Sequence, residues 1–123
     1  MGVDSLELHA GSAREVTSSR HRLEDQLRTW GCGDIATIGL VFAELASNAV
    51  LHADGASSIS IEHRDGSTRL SVIDASPQPP RLRTQGDETG GFGLRIVDEL
   101  ATSWGWTHTA TGKEVWVLVA CCA

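Results

Sequence analysis

Ile59-Ser60-Ile61-Glu62-His63-Arg64-Asp65-Gly66-Ser67-Thr68-Arg69-Leu70-Ser71-Val72-Ile73-Asp74 is the stretch that decides the architecture. Ile59 and Ile61 alternate with Ser60 and Glu62, the period-two pattern of a strand with one buried face. Asp65-Gly66 is a hairpin signal, because a tight two-residue turn needs residues that accept positive φ. Leu70, Val72 and Ile73 belong to the returning strand, which ends at Asp74. A second pair of strands is expected nearer the C-terminus, Trp104 to Thr109 and Glu114 to Ala120, joined by a turn at Thr111-Gly112-Lys113. Consecutive strands joined by tight turns imply a mixed, mostly antiparallel sheet.

Upstream of the hairpin the hydrophobic period changes. Val3 to His9 still alternates, with Leu6 and Leu8 apolar, and reads as a short edge strand. Ser12 and Glu15 then form a capping-box pattern. Val16, Leu23, Leu27 and Trp30 recur at helical spacing, so a helix is expected from about Ala13 to Trp30, with Gly31 as its stop. Asp34 is the next N-cap candidate, and Ile35, Ile38, Val41, Phe42, Leu45 and Ala49 mark one face of a second helix ending near His52. A third helix is expected from Leu94 to Ala101, with Leu94, Val97 and Leu100 inward. Between Ala75 and Thr89 the three prolines Pro77, Pro79 and Pro80 exclude helix and central strand, so this long segment reads as a functional loop or lid. The element order β-α-α-β-β-α-β-β describes an α/β (α+β) two-layer sandwich with its helices on one face.

The 123 residues suit a single domain, 1–123. Ten basic residues against 16 acidic ones give a net charge of −6, and the arginines are scattered, which argues against direct nucleic-acid binding. No apolar run approaches the roughly 20 residues needed to span a bilayer. Cys32, Cys121 and Cys122 are odd in number and lack C-x-x-C spacing, so free thiols in a reducing cytoplasm are expected rather than a disulfide or zinc framework. His9, His21, His63 and His108 show no metal-ligand spacing. Trp104 and Trp106 share a strand face and read as core residues.

Three groups of residues could carry chemistry. Glu44 and Asn48 stand one turn apart on the second helix and so share a face, with His52 a further turn along. An Asn oxygen suits magnesium, and a Glu can orient or deprotonate an attacking hydroxyl. Taken alone, the pattern better fits the polar stripe of an amphipathic helix. Asp74, at the mouth of the sheet, could accept a hydrogen bond from an amino group or simply open a turn. Gly90, Gly91 and Gly93 precede a helix and would let the backbone approach a phosphate, or act as a hinge. No Gly-Lys-Ser/Thr follows them, so this is not a Walker A loop.

In their order, Glu44-Leu45-Ala46-Ser47-Asn48-Ala49, Asp74 and Gly91-Phe92-Gly93-Leu94 resemble the N box and the two glycine boxes of the gyrase/histidine-kinase (GHKL) type ATPase superfamily, which has the Bergerat fold. The trailing His52, Asp74-Ala75-Ser76-Pro77, Trp104-Gly105-Trp106 and Gly112-Lys113-Glu114-Val115-Trp116 are similar to the single-domain bacterial anti-sigma-factor serine/threonine kinases, in particular the actinobacterial type. The resemblance implies ATP and Mg2+ as cofactors, with Glu44 as catalytic base and Asn48 as magnesium ligand. It implies Asp74 at the adenine amine and Ser76, Gly91, Phe92, Gly93 and Leu94 around the nucleotide, with Pro77 to Thr89 as the ATP lid. It further implies a cytoplasmic regulator whose partners are a sigma factor and a STAS-type anti-sigma antagonist, the latter phosphorylated on Ser or Thr. A homodimer through the edge strand at Leu6 and Leu8 fits the same resemblance. The alternative is a non-catalytic, ATP-gated interaction module. Two departures favour it: no glycine follows Asp74 in the first glycine box, and Phe92 stands where Arg or Lys is frequent.

Overall fold

The alternating segments pair and the helical ones pack above them. The computed structural model describes residues 4–52, 57–75 and 94–120. In chain order the elements are β1 (Asp4–Ala10), α1 (Ala13–Thr29), α2 (Ile35–His52), β2 (Ser57–Arg64), β3 (Ser67–Asp74), α3 (Leu94–Leu100), β4 (Ser103–His108) and β5 (Lys113–Ala120). The strands form one five-stranded sheet in the order β1-β2-β3-β5-β4. The expected mixed sheet is antiparallel at every described pairing. β1 is an edge strand as read, and β4 is the other edge.

The local devices work as the sequence chemistry requires. Asp65 and Gly66 turn the β2–β3 hairpin with φ of 52° and 77°, both positive, so Glu62 meets Arg69 and Ile61 meets Leu70. Ser12 Oγ accepts from Glu15 N at 3.2 Å, and the Glu15 carboxylate returns to Gly11 N at 2.8 Å, so two otherwise unpaired N–H groups at the start of α1 are satisfied. α1 stops at Thr29, just ahead of Gly31.

Alternation along each strand sends one file of side chains under the helices. Leu8 and Ala10, Ile59 and Ile61, Leu70 and Val72, and Val115, Val117 and Val119 are buried there. α1 covers β1 and α2, α2 lies over β2 and β3, and α3 fits between α2 and β4. Leu23 and Leu27 of α1, Ile38, Val41 and Phe42 of α2, and Val97 of α3 close the core from above. Each large apolar side chain buried this way contributes about 1.5–3 kcal/mol. Ser19 also sits on the buried stripe of α1, where its hydroxyl donates to His9 O at 2.9 Å and ties the helix to β1. Trp104 and Trp106 pack against the core as expected, and Trp104 Nε1 donates to Asp98 Oδ1 at 2.9 Å.

Two expectations are corrected. Leu100 does not point inward but is exposed, because the inward side of this short helix runs from buried Val97 to partly buried Ala101, four residues on. Cys32, expected as a free thiol, is disulfide-bonded; its partner lies outside the described residues. An odd cysteine count does not rule out one bridge, and only the fold decides which cysteines meet. Among the described residues no helix is long and apolar enough to cross a membrane.

Candidate functional site

β3 and β5 set the geometry of one end of the sheet. Asp74, the last residue of β3, is the register partner of Lys113, the first residue of β5. Lys113 is therefore not a turn residue, as its Thr111-Gly112-Lys113 context suggested, but a strand residue of the inner face. Strand alternation places Asp74 in the file of Thr68, Leu70 and Val72, and Lys113 in the file of Val115, Val117 and Val119, all buried. Lys113 Nζ lies 3.1 Å from Asp74 Oδ1, with side-chain exposures of only 6% and 3%. The approach is enforced from below: a Cβ on Gly112 would stand 2.0 Å from the carbonyl oxygen of Asp74, so only glycine lets the two backbones meet here.

The helices bring further candidates to the same end. α2 ends at His52 and β2 begins at Ser57, so the C-terminal turns of α2 lie near the start of β2. Ser58 pairs with Ile73, which sets that start beside the end of β3. Glu44 and Asn48 are half-buried on α2, whose helical repeat puts them on one side. α3 hands the chain to β4 at the opposite end, where Thr102 N donates to Leu118 O at 2.8 Å. The beginning of α3, Leu94, is thus the end turned toward Asp74. The sequence-predicted residues Ser76, Gly91, Phe92 and Gly93, and the lid from Pro77 to Thr89, lie outside the described residues.

The donor set is chemically specific. A half-buried carboxylate and carboxamide share one helix side, and a buried carboxylate and ammonium close the sheet mouth. Among the described residues no group of three or more His, Cys, Asp or Glu could hold a metal ion. Sequence reasoning missed Lys113. The available signal was the register implied by a β3–β5 pairing, but Asp74 and Lys113 are 39 residues apart, with α3 and β4 between their strands.

Comparison with known proteins agrees with this architecture. The sequence pattern of the histidine kinase-like ATPase domain matches residues 10–119. Among solved structures, the chain is similar to the crystal structure of the RsbU and RsbW domains of Rv1364c from Mycobacterium tuberculosis, with a TM-score of 0.72 and 22% identity. The match covers 95% of this chain and 32% of that one, so this chain spans about a third of its solved relative. No protein with a curated description matches.

Proposed function

The chain belongs to the histidine kinase-like ATPase domain family, and from that premise we propose that it is an ATP-binding regulator which phosphorylates a protein serine or threonine. The observation that carries the reading is that Glu44 and Asn48, one turn apart on α2, and Asp74, buried at the end of β3, belong to elements that meet at one end of the sheet. Asp74 would accept the adenine amine and Asn48 would hold Mg2+ against the phosphates. Gly91, Phe92, Gly93 and Leu94 would meet the phosphates, with Ser76 at the nucleotide and 77–89 as the lid. The metal would neutralise charge on the transferred phosphoryl group. Glu44 would take the proton of the attacking hydroxyl, so the chemistry is mainly positioning plus one proton transfer.

The substrate on this reading is an anti-sigma antagonist of the STAS type. The same chain would sequester a sigma factor in the cytoplasm, with the antagonist's phosphorylation state choosing between the two partners. Labelled phosphate from the γ position of ATP should pass to a cognate antagonist domain, and Glu44→Ala should abolish the transfer. Equal transfer by the variant would reject Glu44 as base. A non-catalytic, ATP-gated module is the second reading, supported by Phe92 and by Ser76-Pro77 in place of glycine after Asp74. Saturable Mg-ATP binding with no label transfer would select it.

A further inference from the structure

Among the described residues the ammonium of Lys113 has more donors than side-chain acceptors that it meets. It carries three N–H bonds, and Asp74 Oδ1 is the one side-chain acceptor it meets among the described residues. At 6% side-chain exposure, water does not readily complete the set. With one N–H committed to Asp74, the ammonium keeps two that can donate to an acceptor arriving with a ligand. The position suits one. Lys113 lies in the last row of the inner face, and its register partner on β4, His108, is exposed, so this row borders solvent.

We propose that Lys113 is a nucleobase-reading residue, which donates to the N1 acceptor of adenine while the neighbouring Asp74 carboxylate accepts from the 6-amino group. This rests on the nucleotide-binding reading given above and extends it to a residue outside the three sequence boxes. An acceptor and a donor held 3.1 Å apart match two adjacent groups on a base edge, one amine donor and one ring-nitrogen acceptor. A carboxylate oxygen has lone pairs enough to accept from Lys113 and from the amine together. The pair thereby fixes the order of donor and acceptor along the edge. Guanine, with O6 in place of the amine and N1–H in place of the acceptor, presents the reverse order and would leave buried groups mispaired.

The test compares nucleotides on the unaltered 123-residue chain by calorimetric titration in excess Mg2+. The ligands are ATP, 1-deaza-ATP, which lacks the N1 acceptor, and GTP. ATP should bind about tenfold or more tighter than 1-deaza-ATP, and GTP should bind more weakly than ATP. Lys113→Met should lower ATP affinity to the 1-deaza-ATP level and erase the difference between these two ligands. Should Lys113→Met fail to fold, the comparison on the unaltered chain still decides. Equal affinity of the unaltered chain for ATP and 1-deaza-ATP would overturn the role of Lys113 while leaving nucleotide binding intact. Failure of all three nucleotides to bind would overturn the nucleotide reading itself, and this inference with it.

Discussion

The inner face of β3 ends differently at its two extremities. At one end Thr68 is fully buried, with His63 Nδ1 3.3 Å from its hydroxyl, and the imidazole stacks on Trp30 with ring centroids 5.4 Å apart. At the other end Asp74 and Lys113 are buried as an ion pair. The first end closes the core with a hydroxyl and stacked aromatic rings. The second brings two charges out of water, a cost of several kcal/mol per ion that their attraction only partly offsets. Folding alone has no need of that arrangement, since well-packed apolar residues in such positions are often as stable or more so. The lesson is that the charged end is the one to examine for ligand chemistry, and it is also where α2, β3 and β5 bring the candidate residues.

The contrast can be broken most sharply at Lys113. Lys113→Met should destabilise the chain by about 3–5 kcal/mol, because it removes the cation beside a buried carboxylate. Asp74→Leu combined with Lys113→Met should restore most or all of that stability, measured by urea unfolding. If the double variant were as unstable as the single one, the pair would be a structural requirement and the contrast would fail. Gly112→Ala comes next: its Cβ would meet the Asp74–Ala75 backbone, and the forced shift should cost about 1–3 kcal/mol in the same measurement. A wild-type midpoint for this variant would show that β3 and β5 have room to part. The smallest effect is expected at the Thr68 end. Thr68→Val keeps the shape and removes the hydroxyl that meets His63, so a loss of about 1 kcal/mol is expected. A loss as large as that of Lys113→Met would erase the difference between the ends.

Much of this architecture was legible because its signals are local. The capping box at Ser12 and Glu15, the Asp65-Gly66 turn and the apolar period of α2 each lie within a few residues, and each appears where it was read. Glu44 and Asn48 were legible for the same reason, since helical repeat alone puts them on one side. What depended on distant pairing was not legible. Lys113 follows Gly112 and looks like a turn until the sheet order sets β5 beside β3. Leu100 is apolar and near the right spacing, yet Ala101 occupies the inward position. The cysteine count gave no hint of the bridge at Cys32, because bridge formation depends on which cysteines the fold brings together.

The central claim is that Mg-ATP binds at the charged end of the sheet. Backbone amide NMR shifts of the 15N-labelled chain during Mg-ATP titration test it directly, because both ends of β3 are read in one spectrum. The account predicts saturable shifts at Asn48, Asp74, Gly112 and Lys113, with His63 and Thr68 unmoved. Saturable shifts centred on His63 and Thr68, or none anywhere at millimolar nucleotide, would contradict it.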